Sequence, residues 1–215
     1  MNHASTRRGK WPAADIYGIT AEEYSNGRSN IEVVRAMIDA GVKVIQYREK
    51  EKKKLYKYQE CIRIREMTQK AGVTFIINDD IDLALLVKPD GVHIGQEDLP
   101  IEEVRQLVGE EMIIGLSTHS PQQAQEAVKR GADYIGVGPV FATRTKKDVS
   151  AATGLDYVKY VAEHIPLPSV AIGGIKTDNI ASVRQAGADC FALITDIVGA
   201  ADIGARIKEL RARLV

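Results

Sequence analysis

"SPQQAQEAVKRGADYIGVG", residues 120–138, joins a helix to a strand and marks both boundaries. Ser120 stands where an N-cap hydroxyl belongs, Pro121 at the first helical position, where its missing N–H costs nothing, and Gln123 at the third. Gly131 is the residue type that ends such helices in a left-handed turn. After Asp133 the chain is apolar without alternation through Val137. A strand with one wet face alternates; one that does not is covered on both faces, as in a parallel sheet between helices.

The same phrase recurs along the chain. "NIEVVRAMIDAG" carries Ile31, Val34 and Ile38 at near-helical spacing and stops on Gly41; "TDNIASVRQAGA" repeats the design and stops on Gly187. Eight apolar runs punctuate these stretches: "DIYGIT" from Asp15, "VKVIQY" from Val42, "TFIIN" from Thr74, "DGVHIG" from Asp90, "MIIGLS" from Met112, "DYIGVG" from Asp133, "PSVAIGG" from Pro168 and "DCFALIT" from Asp189. Eight strand–helix units without a linker or composition break predict an α/β single-domain (β/α)8 TIM barrel over residues 15–215 rather than an open doubly wound sheet. Residues 1–14, with Arg7, Arg8 and Lys10, read as a flexible basic tail.

Composition narrows the function classes. Lys plus Arg equals Asp plus Glu at 29 each, which argues against broad electrostatic binding to nucleic acid, so any anion site is local. No apolar run approaches the ~20 residues that span a bilayer, and the start has no apolar signal core. Cys61 and Cys190 are far apart and lack metal-type spacing, so a reducing cytoplasm is the expected location and both thiols, like Trp11, read as packing residues. A homo-oligomer is compatible with the sequence, which does not specify one.

In a (β/α)8 barrel the chemistry sits where the strands end. The second run ends in Gln46, Arg48 and Lys50, which alternate and so share one side; a barrel interior holds such residues only with an anionic partner. The third ends in Asn78, Asp79 and Asp80, and the fourth leads to His93, Gln96, Glu97 and Asp98. Acids on neighbouring strand ends reach one hard cation such as Mg²⁺, although each can also cap the helix that follows. Ser117, Thr118 and His119 follow the fifth run; either histidine can equally be a hydrogen-bonded structural residue. The sixth opens "FATRTKKD", with Thr143, Arg144, Thr145, Lys146 and Lys147. Gly173 and Gly174 after the seventh and Thr195 after the eighth match the place where such barrels cradle a phosphate; a tight turn is the plainer reading of the glycines. Two anion sites and one metal describe two phosphorylated substrates, one with a diphosphate leaving group: a transferase.

"QYREK", "NDD", "HIGQED", "GLSTHS", "GPVFATRTKKD" and "AIGGI", in this order and spacing, resemble the thiamine-phosphate synthase (thiamine-phosphate pyrophosphorylase) family over nearly the whole chain. The resemblance implies a barrel that joins hydroxymethylpyrimidine diphosphate to hydroxyethylthiazole phosphate by a dissociative mechanism. By motif, Gln46, Tyr47, Arg48, Glu49, Lys50, Asn78, Ser117 and Lys146 would contact the pyrimidine diphosphate, with Arg48, Lys50, Ser117 and Lys146 assisting catalysis. Asp79 and Asp98 would bind Mg²⁺. Thr143, Thr145, Gly173 or Gly174, and the backbone around Ile194 and Thr195 would hold the thiazole phosphate, with Arg144 between the two threonines adding affinity for an anion. The chain departs from the family pattern at Tyr47, where leucine is commoner, at Arg144, and at Thr195-Asp196, which puts an acid beside a phosphate site. The alternatives are a thiazole tautomerase, which does not need the diphosphate and metal residues, and a non-catalytic phosphate-binding barrel.

Overall fold

The strands β1 (Ile16–Ile19), β2 (Val44–Tyr47), β3 (Thr74–Asn78), β4 (Gly91–Ile94), β5 (Ile113–Thr118), β6 (Tyr134–Val137), β7 (Ser169–Ile172) and β8 (Phe191–Leu193) form a closed parallel barrel in chain order, β8 pairing back to β1. The computed structural model describes residues 11–143 and 151–214. Around the barrel run α1 (Asn30–Asp39), α2 (Lys54–Ala71), α3 (Ile81–Val87), α4 (Ile101–Val108), α5 (Pro121–Lys129), α6 (Gly154–His164), α7 (Ile180–Gln185), the single turn α8 (Thr195–Val198) and α9 (Ile203–Ala212). The TIM barrel expected from the eight runs is the observed fold.

The α5 start is built as its sequence predicts: the Ser120 hydroxyl accepts from the Gln123 N–H at 3.3 Å. The α7 start is not a copy of it. There Asn179 turns its Oδ1 back to the Lys176 N–H and its amide to the Gly174 carbonyl, so only the glycine stop is shared. The aspartates that open several runs have one job. Asp133 accepts from the Ile114 N–H and from Arg105, and Asp90 from the Phe75 N–H and Arg65, while Asp15 accepts from the Ile16 N–H and pairs with Arg211. Each ties a strand foot to a helix through a charge-assisted bond.

Strand side chains alternate between two cores. Ile45, Phe75, Ile77, Val92, Ile114 and Phe191 face the helices, whereas Tyr17, Val44, Ile76, Ile113, Tyr134 and Val170 fill the barrel interior. The Tyr134 ring has room because residue 115 is glycine. A Cβ there would stand 2.1 Å from Tyr134 Cζ and 2.5 Å from His93 Nδ1. Gly115→Ala is therefore expected to cost about 3 kcal/mol, the upper end for overpacking; a urea unfolding midpoint matching the parent's would contradict this packing.

Trp11 closes the end of the barrel where the strands start, stacked on Tyr134 with ring centroids 4.0 Å apart. Residues 11–14, placed with the tail by sequence, thus include a plug: Trp11 and Ala14 both pack on the interior cluster. Cys61 and Cys190 are buried and unpaired, in line with a packing role.

Candidate active site

At the opposite end, Gln46, Arg48, Asn78, His93, Ser117 and Ile194 line one mouth. Arg48 leaves β2 with its backbone N–H bonded to the Thr20 hydroxyl at 2.9 Å, which fixes the side chain over the opening. It is 7% exposed, its Nε has no hydrogen-bond partner and it makes no ion pair among the described residues. Burying a guanidinium without a counter-charge is costly, and an anion bound at this mouth would offset that cost.

The loops after β3 and β4 supply a carboxylate pair. Asp79 adopts a left-handed backbone, φ 58°, strained for a residue other than glycine and a common feature of ligand-holding positions. Its carboxylate meets Lys50 Nζ at 2.5 Å. Asp98 accepts from the Gly95 N–H at 2.7 Å rather than capping α4, whose N-cap is Pro100. Burial and, after it, the hydrogen-bonded contact with Asp79 push the Asp98 carboxyl above the usual carboxylate range. Two carboxylates in contact repel each other, and a shared cation relieves that repulsion. Among the described residues no group of three or more His, Cys, Asp or Glu could hold a metal, and this pair is a two-carboxylate donor set. That donor set fits Mg²⁺, which takes one or two carboxylates and completes its shell with water and substrate phosphate oxygens. Asp80 is turned away, paired with Lys54 at 2.6 Å and Lys57 at 2.9 Å.

Across the mouth, Gly173 and Gly174 have φ 100° and 65°. A Cβ on Gly173 would lie 2.4 Å from Pro139 Cβ, so the turn needs glycine sterically as well as conformationally. Ile194 and Thr195 follow β8 beside it, Thr195 opening α8. Asp196, the acid that follows Thr195, has a cation near it. Arg206 approaches one of its oxygens at 3.4 Å, although the other is buried without a partner. Burial raises this carboxyl above its ordinary range, and Arg206 pulls the other way. Thr143 is half-buried; Arg144, Thr145 and Lys146 lie outside the described residues.

Two expected substrate contacts face elsewhere. The Tyr47 hydroxyl donates to Glu60 at 2.6 Å among the helices, and Glu49 accepts from the Glu22 N–H at 2.8 Å. The alternation that aims Gln46 and Arg48 inward aims these outward. His119 is structural, its Nδ1 held by the Gly138 carbonyl at 2.5 Å. His93 is not peripheral: its two ring nitrogens meet Tyr134 and Ser117. Tyr17 and Tyr134, which reading the sequence missed, support the mouth from below; a tyrosine at an inward position of an otherwise aliphatic run was the available signal. A wide depression between α1 and α9, lined by Asp39, Asp202 and Lys208, lies away from this constellation.

The model of the thiamine monophosphate synthase family matches residues 16–197. The chain belongs to that family. A relative from Pelotomaculum thermopropionicum, named thiamine-phosphate synthase, is 67% identical over 199 residues, 93% of this chain and 91% of its own. Another of that name, from Lawsonia intracellularis, is 54% identical over 92% of this chain and 91% of its own. Among solved structures, a thiamine phosphate pyrophosphorylase from Pyrococcus furiosus superposes with a TM-score of 0.86 at 34% identity, covering 98% of both chains. A 3-hexulose-6-phosphate synthase at 19% identity and TM-score 0.62 shares the barrel alone. The mouth residues from Gln46 to Asp196 fall within the stretch the family model matches.

Proposed function

We propose that this chain joins 4-amino-5-hydroxymethyl-2-methylpyrimidine diphosphate to 4-methyl-5-(2-hydroxyethyl)thiazole phosphate, releasing thiamine phosphate and pyrophosphate. The observation that carries the reading is the combination, at one end of the barrel, of Arg48, a buried cation with an unpaired Nε, and the Asp79–Asp98 pair. A tautomerase acting on thiazole phosphate alone has no use for either.

Asp79 and Asp98 would hold Mg²⁺, which when bound supplies a Lewis acid for the growing charge on the diphosphate. The bond between the pyrimidine methylene carbon and the diphosphate oxygen breaks heterolytically, its electron pair leaving with oxygen. The thiazole nitrogen then gives its lone pair to the methylene carbon. Arg48 and Lys50 stabilise the departing anion, the electrostatic contribution that dominates such reactions. Gln46, Asn78 and Ser117 orient the pyrimidine diphosphate. Gly173, Gly174, Thr195 and the threonines of the loop after β6 hold the thiazole phosphate through N–H and O–H donors, so that its nitrogen rather than water meets the cation. No general base is required, since the attacking nitrogen carries no proton. Among the described residues no helix is long and apolar enough to cross a membrane, and the two buried free thiols suit the cytoplasm.

The test is product formation: with both substrates and Mg²⁺, thiamine phosphate and pyrophosphate appear in equal amounts. Thiazole isomerisation without pyrophosphate release would overturn the proposal. Lys146, outside the described residues, belongs to the same leaving-group set. Lys146→Ala is expected to slow single-turnover chemistry about 10²-fold in a protein of unchanged melting temperature; a single-turnover rate equal to the parent's would remove Lys146 from the set.

A further inference from the structure

Hydrogen bonds cross the barrel interior from Gln46 to Ser117. Gln46 Nε2 meets the Tyr17 hydroxyl at 2.8 Å, and Tyr17 meets the Tyr134 hydroxyl at 2.9 Å. Tyr134 meets His93 Nδ1 at 2.8 Å, and His93 Nε2 meets the Ser117 hydroxyl at 2.9 Å. Tyr17 and Tyr134 are 1% and 0% exposed, so bulk water does not compete for these bonds.

The chain has a direction. An amide nitrogen only donates, and a hydroxyl has one hydrogen to give. With Tyr17 accepting from Gln46, the arrangement that leaves no buried phenol hydrogen unused has Tyr17 giving its hydrogen to Tyr134 and Tyr134 giving its own to His93 Nδ1. The imidazole hydrogen then sits on Nε2 and goes to Ser117. The Ser117 hydrogen is left over, on a residue that lines the mouth. The reverse direction, with the Gln46 oxygen toward Tyr17, ends with Ser117 donating into the imidazole and presenting only lone pairs to the mouth. A mouth whose buried Arg48 favours an anion repels that arrangement.

We infer that Tyr17, Tyr134 and His93 are positioning residues that make Ser117 a hydrogen-bond donor to the departing diphosphate, with Gln46 setting the direction. The inference rests on the diphosphate reading of the mouth and adds what orients its serine.

The ¹⁵N NMR spectrum of ligand-free, histidine-labelled protein reads the tautomer directly, with His93→Gln assigning the resonance. The wild type is expected to carry the His93 hydrogen on Nε2. Gln46→Glu offers Tyr17 only oxygens, reverses every bond and moves the hydrogen to Nδ1. Tyr134→Phe cuts the chain; it is expected to mix the tautomers and lower kcat about tenfold, with KM for the pyrimidine diphosphate within about twofold. If Tyr134→Phe does not fold, Tyr17→Phe makes the same cut one bond earlier. A wild-type hydrogen on Nδ1, or a Gln46→Glu tautomer identical to the parent's, overturns the inference even in an active enzyme. The expected tautomers in a protein that releases no pyrophosphate would overturn the functional reading instead.

Discussion

Replacing Arg48 with methionine is expected to lower kcat/KM about 10²- to 10³-fold and to leave the protein at least as stable as the parent. The two effects have one origin. Arg48 is buried to 7% exposure with an Nε that bonds nothing, and it makes no ion pair among the described residues. In the absence of a bound anion that is a cost to folding, so an apolar side chain of similar length removes the penalty. In the transition state the same guanidinium faces a leaving diphosphate, where a fixed charge in a water-poor site acts most strongly. Thermal melts and initial rates on the same preparation separate the contributions. A variant both less stable and fully active would mean that Arg48 is a structural residue.

Asp79→Asn is the second large effect. Asparagine tolerates a left-handed backbone better than most residues, so the φ of 58° is retained and the fold with it. What changes is charge: Asp98 loses the carboxylate whose contact, after burial, raises its proton affinity, and Lys50 loses its partner. The expected result is a fall in kcat/KM of about 10²-fold at fixed Mg²⁺, with the Mg²⁺ concentration for half-maximal rate raised at least about tenfold. Asp80→Asn serves as the matched control, because Asp80 is committed to Lys54 and Lys57. Equal losses in the two variants would contradict assignment of the metal to Asp79 and Asp98.

These contrasts show where the sequence was sufficient. Unbroken apolar runs and glycine stops carried the barrel, because strand burial on two faces leaves a mark that side-chain detail cannot blur. The inward alternation of Gln46 and Arg48 carried the mouth. The same alternation already placed Tyr47 and Glu49 outward; carrying the motif over as one continuous run hid it. The choice between Asp79 and Asp80 was not legible locally, since it depends on Lys54 and Lys57 arriving from α2 to claim one of two adjacent acids. Nor was the partner of Asp196, Arg206, which reaches back from α9. The Gln46–Tyr17–Tyr134–His93–Ser117 chain draws on five strands, and hydrogen bonds of that kind have no signature in any one of them.

The most direct test of the central claim, that this mouth is built for a diphosphate and a divalent cation together, is calorimetric titration of the ligand-free protein with pyrophosphate, with Mg²⁺ and then with chelator. The account predicts binding that tightens at least about tenfold with Mg²⁺, and loss of that enhancement in Asp79→Asn but not in Asp80→Asn. Pyrophosphate affinity indifferent to Mg²⁺, or unchanged by removing Arg48, would contradict it.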